Sequence, residues 1–229
     1  MSELLYSPFF GLMVTAVAYT VGVKIQKKTG LVICNGLALA ALMIIALLLV
    51  FGIPYEAYSA GGSLVNLMLS PATVCLAVTI YRKLDILKKN LLPVLVGCAA
   101  GAVASVVSVW ALSHLFGLDR ALLTSLLPKS VTTPIATALS QSNGGIVSIT
   151  AAAVIFTGIL GNLAAPLMVR LLRVKNPVEA GLGIGSCSHA IGTAKAMELG
   201  GTEGALSSVA IGLCGIFTTV LALLFPLLP

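Results

Sequence analysis

The sequence predicts an all-α polytopic membrane protein, a single integral membrane domain with about six full transmembrane helices plus broken or re-entrant half-helices. Three observations carry that expectation. Only 9% of the 229 residues are charged, against about a quarter in soluble domains, so the chain cannot cover a wet surface. Mean hydropathy is +1.11. Apolar runs such as "LVICNGLALAALMIIALLLVF" (31–51) and "IVSITAAAVIFTGILGNLAAPLMV" (146–169) reach the roughly 20 residues a helix needs to cross a bilayer.

Taken in order, the apolar segments fall at about 5–23, 31–51, 60–81, 91–116, 121–140, 146–169, 181–199 and 204–227. The opening "MSELLYSPFF" has no basic n-region and no small-residue cleavage site, so the first segment is expected to remain as a span. Lys24, Lys27 and Lys28 close it. Arg82, Lys83, Lys88 and Lys89 follow the third segment, and Arg170, Arg173 and Lys175 follow the sixth. The other loops are acidic or nearly neutral, with Glu56 or the Asp119–Arg120 pair. Short basic loops mark the cytoplasmic side, which places the N-terminus outside and lets the first four segments alternate. The same rule keeps the Arg170 cluster inside only if 121–140 enters and leaves on the outer side. Segment 181–199 then starts inside and is irregular in its turn. The chain thus reads as four spans over about 1–116, then a part over about 117–229 with two polar segments, each re-entrant or a broken span. An inverted-repeat, transporter-like arrangement is compatible with this pattern. The net charge of +6 sits in these loops and does not point to nucleic acid.

Three segments carry a helix restart. "NLMLSPATVCLAVTIY" (66–81) contains Ser70-Pro71, and "LLTSLLPKSVTTPIATALSQ" (122–141) contains Pro128 and then Thr133-Pro134. Ser or Thr before Pro reads as an N-cap and N1 pair, because the hydroxyl takes an orphan amide and proline lacks the amide wasted there. In lipid, a freed helix end must be covered by protein or line a wet cavity. Asp119 is expected to cap a half-helix over 120–127, and a second half-helix to run from Thr133-Pro134 to near Asn143-Gly144. Between them, Lys129, Ser130, Thr132 and Thr133 converge where two helix ends meet. An amine at membrane depth is costly and points to function, although a lysine at the rim can also snorkel.

The third restart is "GLGIGSCSHAIGTAKAMELG" (181–200). Gly183 and Gly185 permit a sharp turn or close approach, and Ser188 can cap the helix that continues to Gly200. On it Ser188, Gly192 and Lys195 share one face, and His189 and Thr193 a neighbouring one. Lys195 and Glu198 either pair with each other or act separately, Lys195 on a substrate carboxylate and Glu198 or His189 on a coupling proton.

The five cysteines show no CxxC spacing and read as small buried hydrophobes; no metal or cofactor is expected. His114 and Trp110 lie near a segment end, as interfacial residues do. No paired carboxylates or suitably placed nucleophile and base appear, so an enzyme is not expected.

The stretches "LPKSVTTPIA" (127–136) and "GSCSHAIGTAKAMELGGTEGALSSVAIGL" (185–213) resemble the LrgB/CidB family of bacterial membrane proteins, and the resemblance runs along the whole chain. Cys187 departs from it, standing where a serine is expected. The resemblance implies a multi-pass protein of the bacterial plasma membrane that works with a small holin-like partner of the LrgA/CidA type and modulates murein hydrolase activity and autolysis. It also implies transport, since a related plant protein is a plastidial glycolate/glycerate translocator and bacterial pairs are linked to pyruvate uptake. The expected function is a secondary transporter of small monocarboxylates, with Lys129, Ser130, Thr132, Thr133, Ser188, His189, Thr193 and Lys195 at the substrate. The alternative is a non-transporting antiholin-like regulator acting through the holin-like partner. A homo-oligomer is compatible with either.

Overall fold

A computed structural model describes residues 5–29 and 36–224, which contain helices and no strand. Packing divides the chain into two compact units, Met1–Cys75 and Leu76–Pro229. In the first, α1 (Pro8–Thr29) packs against α2 (Gly36–Val50) and α3 (Tyr55–Leu67). Gly11, Ala18 and Gly22 form the buried stripe of α1; small residues let membrane helices approach closely where hydrophobicity gives no net drive. The Thr15 and Tyr58 hydroxyls bond at 2.9 Å, and Gln26 accepts from the Gly36 amide at 2.7 Å.

The third apolar segment is not one rod. α3 ends at Leu67, Met68 is a turn, and α4 (Leu69–Tyr81) begins immediately, running across the division between units. The restart expected at Ser70-Pro71 therefore comes slightly earlier, with Ser70 and Pro71 inside the first turn of α4. Proline is tolerated there because first-turn amides have no intrahelical partner.

The second unit begins with the short α5 (Leu84–Lys89), whose Ile86 and Leu87 rest on the core. Then come α6 (Leu91–Leu115), α7 (Arg120–Leu126), α8 (Thr133–Ser142), α9 (Val147–Leu171), α10 (Pro177–Leu199) and α11 (Gly201–Leu224). Among the described residues, α1, α6, α9 and α11 are long and apolar enough to cross a membrane, and the 15 described residues of α2 form a shorter apolar helix. Of the six spans expected, four are thus single long helices, 60–81 is split, and part of 31–51 falls outside the described residues.

Contacts fix the directions within this unit. Val94 and Cys98 of α6 pack with Ala205, Leu206, Ala210 and Cys214 of α11, and further along Leu221 joins the cluster of Val106, Val109, Leu123 and Leu127; α6 and α11 run parallel. α9 runs the opposite way. Its Thr150 touches Ser140, its Val154 packs on Val131 and Ala136, and its Ala165 packs on Ala196 close to the start of α11. The basic residues before α6 and after α9 therefore lie at one end of the unit. The packing division falls after Cys75, and α6 lies in the second unit, where it packs against α10 and α11.

At the other end, Asp119 caps α7 as expected, its carboxylate accepting from the Leu122 amide at 2.7 Å. Losing such a cap costs about 1 kcal/mol. Asp119→Ala should lower the detergent-solubilised melting midpoint by roughly 2–4 °C, and an unchanged midpoint would assign the entry of α7 to packing alone.

Candidate functional site

α7 and α8 are 7 and 10 residues long, about 10 and 15 Å at 1.5 Å per residue. Neither reaches across a hydrocarbon layer of about 30 Å. They form a hairpin. Ser125 accepts from the Ile146 amide at 2.7 Å, so the chain entering α9 has come back beside α7. Thr150 donates to Ser140 at 2.7 Å, which ties the returning arm to α9. The tip is 127–132, held by a Val131 amide to Pro128 carbonyl bond of 3.2 Å and by Ser130, whose hydroxyl bonds that of Ser105 at 2.7 Å. Ser105 lies near the middle of α6, so the tip sits at half-depth. The cap of α8 is Thr132, with Thr133 and Pro134 as its first helical residues, one position earlier than expected. The Thr132 side chain makes no capping bond, leaving its hydroxyl and the α8 amides available at the tip.

α10 hides a second hairpin. Gly181 faces Glu203, and Gly185 faces Ser207 and Ala210, so its first arm runs parallel to α11. Its second arm runs antiparallel, since Thr193 bonds Ser207 at 2.7 Å and Met197 faces Gly204. The reversal occurs at Ser188 (φ −137°, ψ 16°) and His189 (φ 42°, ψ −140°). The glycines expected to make the break, Gly183 and Gly185, lie in regular helix instead; Gly185 provides close approach to α11, and the space beside Gly183 is open. Ser188 does not cap the second arm: its hydroxyl donates back to the Ile184 carbonyl at 2.6 Å and closes the first.

His189 has a backbone that L-residues rarely adopt, at a cost of roughly 1–3 kcal/mol unless its surroundings over-determine it. Here they do. Its Nε2 bonds the Val154 carbonyl at 2.9 Å, Thr193 donates to its carbonyl at 2.9 Å, and Asn162 donates to the Ile191 carbonyl at 2.8 Å. Gly158 and Gly161 on α9 supply the room, because a Cβ on Gly158 would meet the imidazole and one on Gly161 would meet Ser188.

The two hairpins therefore enter from opposite ends, and both tips reach the same part of α9: Val131 packs on Val154, whose carbonyl holds His189. Lys129 is half-buried, and its closest polar partner is Ser130 at 3.5 Å. The ion pair among the described residues is elsewhere, Lys195 to Glu198 at 2.7 Å. An amine without a counter-charge at half-depth, beside a helix N-terminus, favours an anion.

The structure thus brings Lys129, Ser130, Thr132, Thr133, Ser188 and His189 to the two tips. Thr193 is spent on the hairpin through Ser207. Lys195 and Glu198 pair with each other at the base of the second arm, so neither reaches the tips as a separate group. Sequence reading missed Ser105, Ser207 and the α9 surface of Val154, Gly158, Gly161 and Asn162. A signal existed in "TGILGN" (157–162), two glycines and an asparagine inside an otherwise apolar span, the small-and-polar pattern of a membrane-helix contact. His114 stays away from the tips, exposed near the end of α6, with its ring 4.5 Å from that of Trp110.

No solved structure matches the chain. It is similar to the antiholin-like protein LrgB of Bacillus mycoides (strain KBAB4), at 36% identity over 96% of each chain. It is also similar to the proteins of that name from Bacillus cereus (strain B4264) and Bacillus anthracis (strain CDC 684 / NRRL 3495), at 35% identity over 96% of each chain. Residues 15–227, which include both hairpins and the whole of α9, match the description of the LrgB-like family, and the chain belongs to that family.

Proposed function

We propose that the two hairpin tips form one binding site for a small monocarboxylate of the pyruvate, glycolate or glycerate kind, and that the protein is a secondary transporter. The observation that carries the reading is Lys129, an amine without a carboxylate partner where two oppositely inserted hairpins meet. Broken helices of this sort put amide-rich N-termini against anionic substrates at the midplane of secondary transporters. Ser130, Thr132 and Thr133 supply hydroxyls for the carboxylate or for a 2-hydroxyl group. The end holding Arg82, Lys83, Lys88, Lys89, Arg170, Arg173 and Lys175 faces the cytoplasm of a bacterial cell, so the first hairpin dips from outside and the second from inside. By the same rule the N-terminus lies outside.

A second reading draws on the relatives' shared name, antiholin-like protein. In it the protein restrains murein hydrolase release and autolysis through a small holin-like LrgA/CidA-type partner, and the tips are only structural. Counterflow in proteoliposomes separates the two. Purified protein should exchange labelled C2–C3 monocarboxylates at equal pH on both sides. Vesicles that exchange none, while the protein co-purifies with such a partner, would favour the second reading.

A further inference from the structure

Resting on the reading of the tips as one carboxylate site, we infer that His189 is its proton-binding residue, taking on Nδ1 a proton that crosses the membrane together with the anion. The hydrogen bonding assigns the nitrogens. A carbonyl oxygen can only accept, so the 2.9 Å bond to Val154 requires a hydrogen on Nε2 in both charge states of the ring. Protonation therefore occurs at Nδ1 and leaves the ring's anchor to α9 untouched. Nδ1 has no hydrogen-bond partner among the described residues, and no sealed side-chain nitrogen or oxygen is left unpartnered there. His189 is only 3% exposed, and with Nε2 committed to Val154 its Nδ1 is the ring nitrogen left to take a proton.

The backbone makes the same point. At φ 42° and ψ −140° glycine would serve the turn better, yet the chain places an imidazole there and holds it with bonds from two other residues. An imidazole exchanges its proton near neutral pH, which suits a group that must load and release on every cycle. Few other groups compete for that role. Lys129 and Cys187 are the titratable groups of the two tips. α9 presents Val154, Gly158 and Asn162 to the second tip, α6 presents Gly101 and Ser105 to the tips, and α11 presents Ser207 through Thr193. Lys195 and Glu198 are paired at the hairpin base.

Charge balance explains the advantage. The empty site carries the single charge of Lys129. A site loaded with one anion and one proton carries the same net charge, so a complete cycle moves no net charge and the membrane potential, about 2.3 kcal/mol per charge per 100 mV, neither drives nor opposes net uptake.

The test uses the purified full chain in proteoliposomes with labelled pyruvate as probe. Wild type should give counterflow at equal pH and, with the lumen alkaline, accumulation approaching about tenfold per pH unit for one proton per anion. His189→Gln keeps an amide N–H for Val154 and cannot titrate. It should lose accumulation driven by the pH gradient, and any anion it still takes up should enter without the lumenal acidification seen with wild type. Accumulation by the variant at the wild-type level would overturn the inference. Should the variant fail to fold, a lumenal pH dye decides on wild type: anion uptake that brings in no more protons than protein-free vesicles overturns it as well. Absence of wild-type counterflow is a different outcome, sinking the carboxylate site and this inference with it.

Discussion

Lys129→Ala should reduce uptake of labelled C2–C3 monocarboxylates by about a hundredfold or more, while the variant still inserts and elutes as a single species in detergent. A charge pair at about 4 Å is worth about 4 kcal/mol at an effective dielectric of about 20, an upper estimate near a partly desolvated site. Even half of that exceeds a tenfold loss of affinity. Lys129 is the residue to test because it has no internal counter-ion whose removal would confuse the result: its polar neighbour is Ser130 at 3.5 Å. Lys129→Arg keeps the charge on a wider, planar head, so it should retain part of the activity with a raised KM. Wild-type KM and rate in Lys129→Ala would place the anion elsewhere.

The second large effect is expected at Gly158. A Cβ there would lie 2.6 Å from the imidazole Cε1 and 2.8 Å from the Ile191 Cδ1, so Gly158→Val must displace His189 from Val154 or push α10 away from α9. Overpacking of this kind costs roughly 1–3 kcal/mol, and loss of the imidazole bond adds about 1 kcal/mol. The melting midpoint should fall by roughly 4–15 °C, with transport lost. Gly183→Ala is the matching control: nothing lies within 4 Å of the added Cβ, and alanine favours the helix by about 1 kcal/mol. Equal destabilisation by the two substitutions would mean that the second hairpin is not seated on α9 as described.

Much of the first hairpin was legible because its punctuation is local. Asp119 as a cap, Pro128 as a stop and the hydroxyl–proline restart at Thr133–Pro134 each act within one helical turn, and α7 and α8 fall within a residue or two of the expected half-helices. The second hairpin was legible only as an irregular, polar stretch. Its glycines suggested the break, but the chain turns at Ser188–His189, a position stabilised by Val154, 35 residues away. No local rule places a strained histidine there, since on propensity alone a glycine would be preferred. Lys195 illustrates the converse: helical spacing allows it to face a substrate or Glu198, and in the structure its amine lies 2.7 Å from the Glu198 carboxylate.

Composition and charge placement were enough to make this a polytopic helical membrane protein, because only 9% of its residues are charged and its unbroken apolar runs reach the length of a spanning helix, not the roughly ten alternating residues of a barrel strand. They also required two irregular segments, since the basic loops could not otherwise share one side. What local sequence could not supply was the meeting of the two tips on α9 at half-depth. That depends on Gly158 and Gly161 admitting the second tip, on Ser105 holding the first, and on the Val154 carbonyl accepting an imidazole. These contacts join residues far apart in the chain, so they exist only once the helices have packed.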